Sequence, residues 1–270
     1  MKLVVELPDL PDELAELLAA LDREDGWDGV ALTGRTVNAA ERWADALDAA
    51  EAPWVVLDGL LPDEVAGQLA DLEPAPRDKL LAHAVELLQR TASLELQCAA
   101  IDLALDRLFF GPAGPADAAA AQAWLAKRRA VLAALMPEAQ RLGCRLCVRL
   151  RQPLPPPVAA AAGLTLRLLN EFGHPDCRLL LNVVVDELAD LDPAAVLGPF
   201  LGELEVLRLR YEPALGVRLT PLAQQAWAAY LRANGYAGGV VFAPAVASQE
   251  AFQQELRRLG GEAAQCWRGE

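Results

Sequence analysis

The sequence predicts an α/β fold, a single (β/α)8 TIM barrel that occupies residues 1–270. Short apolar runs of β type alternate with Ala/Leu/Glu-rich segments of helical periodicity, the pattern of a parallel sheet with helices packed outside it. The runs number eight, which is the count that closes a barrel. Of the 270 residues, 54% are hydrophobic and 23% charged, so the chain is long and apolar enough to bury the core of such a barrel.

Each predicted strand is a short apolar run between two helical segments. The eight runs are Leu3–Leu7, Gly29–Leu32, Trp54–Leu57, Leu94–Cys98, Arg145–Leu150, Arg178–Val184, Glu205–Arg210 and Gly239–Phe242. The fourth run has an alternative interpretation, because residues 92–105 could equally continue a helix.

The predicted helices follow from apolar residues at helical spacing. They are Pro11–Leu21, Ala39–Ala49, Arg77–Leu88, Ala118–Leu142 and Pro221–Asn234. Proline and carboxylates open the first of them, where a missing N–H costs nothing and the helix dipole favours negative charge. Gly143 and the pair Asn234-Gly235 tolerate positive φ and mark helix ends.

The charge balance bears on partners and location. With 24 Lys and Arg against 38 Asp and Glu, the formal net charge is −14. We expect neither nucleic acid nor an anionic membrane as a partner, because both require a basic face. The longest uncharged stretch, residues 233–249, contains three glycines and a proline and does not predict a membrane span. The N-terminus shows no signal-peptide pattern and the five cysteines are scattered, so we expect a cytoplasmic protein with reduced thiols.

Several stretches of the chain carry a family resemblance. They are Gly26–Val30, Arg141–Val148, Leu166–Pro175, Asp192–Leu197 and Leu231–Gly239. Together they resemble the framework motifs of the xylose isomerase-like TIM barrels, the superfamily of sugar phosphate isomerases/epimerases and of endonuclease IV-type DNA-repair enzymes. The resemblance covers most of the chain and implies the same barrel.

Members of this superfamily hold a divalent metal with carboxylates and histidines at strand ends, and the resemblance implies where those ligands would fall. The positions are Arg149, Asn182, Val185, Arg208 and Ala243. Guanidinium groups only donate hydrogen bonds and aliphatic side chains have no ligand atom, so a hard cation would find almost no oxygen here. The resemblance implies the fold, while these residues predict no metal site and no cofactor.

The histidines and cysteines of the sequence also do not predict a catalytic or metal-binding site. His83 lies in a helical pattern, and His174 lies in the turn that enters the sixth strand, at the end of a barrel opposite its mouth. We expect both in surface or capping roles, which leaves no histidine for a zinc site, a catalytic triad or a general base. Cys144 and Cys147 have CxxC spacing, but residues three apart on a strand face opposite sides.

The period of two along each strand assigns side chains to the barrel interior. In the fifth strand an apolar row must face the helices, which leaves Arg145, Cys147 and Arg149 inside. The same argument places Arg208 and Arg210 inside the seventh strand. The predicted upper interior holds Glu6, Glu95, Gln97, Arg149, Asn182, Arg208 and Arg210, with Arg151, Tyr211 and Glu212 at the rim.

Buried arginines need partners, because desolvating an unpaired charge costs several kcal/mol. In one interpretation Glu6 and Glu95 neutralise Arg149 and Arg208, and ion pairs fill the interior. In the other, three to four arginines against two glutamates leave surplus positive charge that binds a phosphate or carboxylate bidentately. The candidate ligand-binding residues are Arg149, Asn182, Arg208, Arg210, Gln97 and Tyr211. The best acid/base candidates are Glu6 and Glu95.

The sequence thus predicts a divergent member of this superfamily that lacks the metal site and binds an anionic, sugar-like small molecule at an arginine-lined mouth. One alternative is a non-catalytic interaction or scaffold protein with a salt-bridged barrel. Another, if the strand register differs, is an active metal-dependent sugar isomerase/epimerase that uses Asp186, Glu187 or Glu212. Homo-oligomer formation stays open.

Overall fold

Eight parallel strands close into a barrel in the order in which they occur in the chain, so the predicted fold class is confirmed in this computed structural model. The structure describes residues 1–8, 27–33, 54–104, 118–151, 158–185, 192–215 and 220–268. The strands are β1 Lys2–Glu6, β2 Gly29–Thr33, β3 Trp54–Asp58, β4 Cys98–Asp102, β5 Arg145–Arg151, β6 Cys177–Val184, β7 Leu204–Tyr211 and β8 Gly239–Pro244. Each pairs with its chain neighbours, and β1 pairs with β8 to close the barrel.

Helices follow or precede the strands as the α/β rhythm requires. In the described residues they are α1 Asp63–Leu69, α2 Pro74–Arg90, α3 Ala118–Arg141, α4 Val158–Phe172, α5 Pro193–Leu197, α6 Pro221–Ala233 and α7 Gln249–Ala263. Short 3₁₀ turns occupy Ala92–Leu94, Gly198–Phe200 and Pro213–Leu215, and a π-helical turn follows at Ala264–Arg268. In the part of the chain that is described, no helix is both long enough and apolar enough to cross a membrane.

Most predicted element bounds agree with the structure within a few residues. The predicted ends of two helices are confirmed, because Gly143 and Gly235 take φ values of 69° and 67° directly after α3 and α6. The Thr220 side chain caps α6 by accepting a hydrogen bond from the Ala223 N–H at 3.2 Å. The predicted helices Pro11–Leu21 and Ala39–Ala49 lie outside the described residues, as do the acidic positions 186, 187 and 190.

The fourth strand is the element for which the prediction is wrong. Leu94 and Leu96 alternate like strand residues, but Leu94 ends a 3₁₀ turn and Glu95 is left-handed at φ 47°. The strand begins at Cys98, which pairs with Val56 of β3 and Arg145 of β5. Its residues suit a crowded barrel wall, because Cys98 and Ala100 are small enough to point inward.

The interior of the barrel is layered, as closely packed barrels of this type are. Its middle is an apolar cluster of Val4, Ala31, Val56, Cys98, Ala100, Cys147, Leu180, Val206 and Val241. At the N-terminal end, the Trp54 ring fills the base so closely that a Cβ built on Gly239 would lie 2.1 Å from its Cζ3 atom. A Cβ on Gly29 would likewise lie 1.8 Å from the Trp54 carbonyl oxygen. Above this apolar middle, polar side chains of the described residues meet at the C-terminal end of the barrel, the mouth.

Candidate functional site

A buried ion-pair network crosses the barrel just above its apolar middle, and Arg208 on β7 is its centre. Arg208 donates from Nε to Glu6 Oε2 at 2.6 Å and from Nη2 to Glu6 Oε1 at 2.8 Å, so the two side chains form a bidentate pair. Its Nη1 donates to Asn182 Oδ1 at 2.7 Å. The Asp58 Oδ2 atom lies 2.8 Å from the same Nε atom. One guanidinium therefore joins β1, β3, β6 and β7.

Asp58 extends this network to a second guanidinium, that of Arg149 on β5. Arg149 Nη1 donates to Asp58 Oδ1 at 3.2 Å, and its Nη2 lies 3.5 Å from Asp102 Oδ2. Asp102 ends β4, and its Oδ1 accepts the Ala104 N–H at 2.6 Å in a local turn. The carboxylate of Asp58 thus lies between two arginines, with only 3% of its side chain exposed.

Burial and pairing act in opposite directions on the Arg208 guanidinium. Desolvation alone would lower its pKa, but the charges of Glu6 and Asp58 and the hydrogen bonds of Glu6 outweigh it and raise the pKa above the usual value. The Arg208 side chain is 10% exposed and that of Glu6 is 15% exposed. Arg208 therefore stays charged at any physiological pH, and its positive charge is matched locally.

The charges of the network can be compared with the two charge balances drawn from the sequence. Among the described residues, the charged groups of this layer are the carboxylates of Glu6, Asp58 and Asp102 and the guanidiniums of Arg149 and Arg208. Three negative charges face two positive ones. Even with Arg210 added, which is exposed near the end of β7, positive charge does not exceed negative. Of the two expected carboxylates, Glu6 is present in this layer, whereas Asp58 and Asp102 take the place of Glu95.

The structure brings together some of the predicted site residues and separates others. Glu6, Arg149, Asn182 and Arg208 meet in the network as predicted. The placement of Glu95 and Gln97 at the mouth is wrong, because both precede β4 and are exposed at the N-terminal end of the barrel.

Tyr211 is also misplaced in the prediction. Its side chain is buried in the layer between the barrel and the helices, because it shares the outward face of β7 with Leu207 and Leu209. Burial and the nearby charge of Glu255 raise the pKa of its hydroxyl. Tyr211 consequently cannot contact a ligand at the mouth.

Arg145 belongs to the lower end of the barrel, where it pairs with the buried carboxylate of Glu205. On the neighbouring strand, Arg178 pairs with Glu203 at 3.1 Å. Each of these arginines has one carboxylate within ion-pair distance among the described residues, in contrast to Arg149 and Arg208. The side chain of Arg151 lies outside the described part of the molecule.

Asp58 and Asp102 are the network residues that sequence reasoning missed. The prediction ended the third strand at Leu57, yet Asp58 has the same inward parity as Trp54 and Val56. A carboxylate one residue beyond a barrel strand was a usable signal, because barrel sites are built from strand ends. Asp102 carried no such signal, because the predicted fourth strand ended at Cys98, whereas the observed strand ends four residues later, at Asp102.

The two histidines lie on separate elements of the fold, away from the barrel interior. The His83 side chain is half exposed on α2 near Glu86, and His174 Nδ1 accepts the Asp176 N–H at 3.2 Å in the turn before β6. Cys147 faces the barrel interior while Cys144 faces the helices, so the CxxC spacing brings no redox pair together. All five cysteines are free and buried.

The positions at which the resemblance implies metal ligands do not fit a metal ion. Arg149 and Arg208 present only N–H donors toward the mouth, and Val185 and Ala243 are aliphatic. Within the described ranges, no group of three or more His, Cys, Asp or Glu side chains is arranged to hold a metal. Two guanidiniums thus belong to residues at positions for which the resemblance implies ligands.

Comparison with known proteins supports the fold. No family model and no curated protein matches the chain. A 3-keto-D-glucoside 4-epimerase from E. coli superposes with a TM-score of 0.70 at 17% identity, over 96% of this chain and 98% of that one. A D-psicose 3-epimerase from Clostridium cellulolyticum H10 gives 0.69 at 13% identity over 99% of both chains. An L-ribulose 3-epimerase gives 0.66 at 16% identity, over 99% of this chain and 96% of that one.

The chain therefore has the fold of the xylose isomerase-like TIM barrels, as the resemblance implied. Its solved structural neighbours include several sugar epimerases. Identities of this size establish the fold and not the reaction.

Proposed function

We propose that the protein binds a small, neutral, sugar-like ligand at the barrel mouth without a divalent metal. The observation that carries the proposal is the Glu6–Arg208–Asp58–Arg149 network. It presents hydrogen-bond acceptors and donors side by side in a polar site of nearly balanced charge. Sugar hydroxyls both donate and accept hydrogen bonds, so they match paired carboxylates and guanidiniums. The occurrence of sugar epimerases among the structural neighbours supports a ligand of this class.

The individual side chains supply the directional groups that such a ligand needs. Arg208 fixes the Asn182 amide through its Oδ1 atom, which orients the Nδ2 group as a hydrogen-bond donor. An ionised carboxylate has about four lone-pair sites, and Arg208 uses two of those on Glu6. The Glu6 carboxylate can therefore accept further hydrogen bonds, and 15% of its side chain is exposed. We assign Glu6 a binding role, because both of its oxygens are already held by one guanidinium.

A ligand that carries a phosphate or carboxylate is the second candidate, and exposed Arg210 favours it. Arg210 lies two residues beyond Arg208 on the same face of β7. It would contact the anionic group of a sugar phosphate or sugar acid while the network below held the hydroxyls. The balanced charge of the network favours the neutral ligand.

A thermal-shift and calorimetric screen tests the proposal on EDTA-treated protein. The panel contains neutral pentoses, hexoses and ketoses, their phosphates, the matching sugar acids, and Mn²⁺, Mg²⁺ and Zn²⁺. We expect neutral sugars to raise Tm, because a ligand that binds only the folded state stabilises it by RT ln(1 + [L]/Kd). Selective stabilisation by phosphates or sugar acids would establish the second candidate.

Two variants locate the binding. Asn182→Ala removes the oriented amide and should abolish the sugar-dependent shift, whereas Arg178→Ala, on the same strand at the opposite end of the barrel, should retain it. If no sugar shifts Tm at millimolar concentration, the proposal is wrong and a salt-bridged scaffold becomes the better account. Stabilisation by a divalent cation alone would return a metal enzyme to consideration.

A further inference from the structure

We propose that the barrel mouth contains a cation cage whose resident cation is the guanidinium of Arg208. The proposal concerns the same site as the proposed function, but it does not depend on sugar binding. It starts from the disagreement between the metal ligands that the fold resemblance implies and the residues that are present. Oxygen atoms of other residues than the implied ligands nevertheless surround the Arg208 guanidinium.

The cage is defined by the oxygen atoms around Arg208. Among the described residues they are Glu6 Oε1 and Oε2, Asp58 Oδ2 and Asn182 Oδ1, each 2.6–2.8 Å from a guanidinium nitrogen. They come from three different strands, β1, β3 and β6. Two carboxylates and one amide oxygen form an all-oxygen set, which is the set that hard divalent cations prefer.

Charge explains why the cage needs an occupant. The side chains of Asp58 and Glu6 are 3% and 15% exposed, and two carboxylates this close repel each other in a site with little water. Arg149 contacts Asp58 at 3.2 Å, but the structure gives Glu6 its ion pair through Arg208. Removal of the Arg208 guanidinium therefore leaves a negative cavity with no cation of its own at its centre.

The covalent attachment of Arg208 should exclude metal from the unmodified protein. A tethered guanidinium with bidentate geometry cannot diffuse away, so a divalent ion would have to displace it and then meet the charge of Arg149 as well. Once Arg208 is shortened to alanine, the same oxygens become available to a free ion. The Arg208→Ala variant should consequently acquire a metal site that the unmodified protein lacks.

The experiment compares the unmodified protein with Arg208→Ala in EDTA and then with increasing Mn²⁺. We expect Arg208→Ala to have a lower Tm in EDTA and to recover by roughly 5–10 °C when Mn²⁺ reaches about 100 times its Kd. The unmodified protein should show no such rise. Mn²⁺ electron paramagnetic resonance should show a bound signal in Arg208→Ala only.

Two further variants make the result specific. Arg145→Ala is the matched control, because it removes a barrel arginine that pairs with one carboxylate, Glu205, and should gain no Mn²⁺ response. The double variant Arg208→Ala/Asp58→Asn replaces one cage carboxylate with a neutral amide. It should lose the Mn²⁺ response and be more stable in EDTA than Arg208→Ala, since less negative charge is left unbalanced.

Three outcomes would overturn the proposal: equal Mn²⁺ binding by the unmodified protein, no Mn²⁺ response in Arg208→Ala, or a double variant less stable than Arg208→Ala. If Arg208→Ala does not fold, the double variant decides, because charge relief should restore folding and its failure to do so would refute the cage. Sugar binding is measured on the unmodified protein, so a failed sugar screen and a failed Mn²⁺ rescue are separate results.

Discussion

Replacement of Arg149 by methionine tests the energetic role of the buried network directly. Breaking one side of a buried ion pair costs about 3–5 kcal/mol, because the partner charge is left without compensation. Asp58 would lose its contact at 3.2 Å but keep Arg208 at 2.8 Å, and Asp102 is 22% exposed and still accepts the Ala104 N–H. We therefore expect the low end of this range, about 3 kcal/mol.

Arg208→Met should cost more, about 5 kcal/mol, because it removes the ion-pair partner of Glu6 and one of the two partners of Asp58. Urea denaturation at pH 7, followed by circular dichroism, measures both variants, and an unchanged m value confirms that compactness is preserved. Arg178→Met is the control, since its partly exposed pair with Glu203 should contribute about 1 kcal/mol or less. A loss under about 1 kcal/mol for Arg149→Met, or the reverse ranking of the two mouth variants, would refute a stabilising network.

Three further predictions follow from other parts of the molecule. Gly239→Ala should lower Tm, because its Cβ would lie 2.1 Å from the Trp54 ring, and overpacking of this kind costs about 1–3 kcal/mol. Hydrogen bonding by Arg128, which outweighs the opposing effect of burial, lowers the pKa of Asp71 below 3.8. The resulting stability is present above about pH 4 and lost as pH falls through the folded pKa, so Tm measured from pH 5 to pH 2.5 should fall less steeply in Arg128→Met. Burial raises the pKa of Cys177 to about 12, so a thiol reagent at pH 8 should label it only after denaturation.

Controls and contrary results for these predictions are specific. Gly163→Ala places a methyl group in open space on α4 and should not destabilise the protein, so equal losses at both glycines would argue against crowding at Gly239. An Arg128→Met variant with the same acid dependence as the unmodified protein would mean that Asp71 contributes nothing to it. Rapid labelling of Cys177 in the folded protein would contradict its burial.

The network also explains why we propose binding at this mouth without a metal ion. A metal ion concentrates two positive charges at one point and leaves open positions for a ligand. Arg149 and Arg208 distribute two positive charges over fixed planar groups that are already hydrogen-bonded to Asp58 and Glu6. Such groups can orient hydroxyls, but they do not offer an open coordination position, which is the reason that we propose binding without a metal.

Local sequence patterns were sufficient to predict the barrel and most of the strands that form its wall. Alternation of apolar residues with period two fixed which side chains of β5 and β7 face inward, and this placed Arg149 and Arg208 correctly. That pattern is local, because burial on one face of a strand constrains every second residue. Glu6 and Asn182 followed from the same rule.

Which charged side chains contact each other could be read only from the folded barrel. Leu94 and Leu96 gave a strand-like alternation, but a turn buries them equally well, and the register of β4 is fixed by hydrogen bonds to β3 and β5 that no local pattern encodes. With this register, Glu95 lies outside the mouth and Asp102 lies within it. The contact of Asp58 with both arginines spans 91 residues to Arg149 and depends on closure of the barrel. Contacts between distant strands exist only in the closed sheet. The ion-pair partner of a buried charge therefore cannot be identified from local sequence patterns.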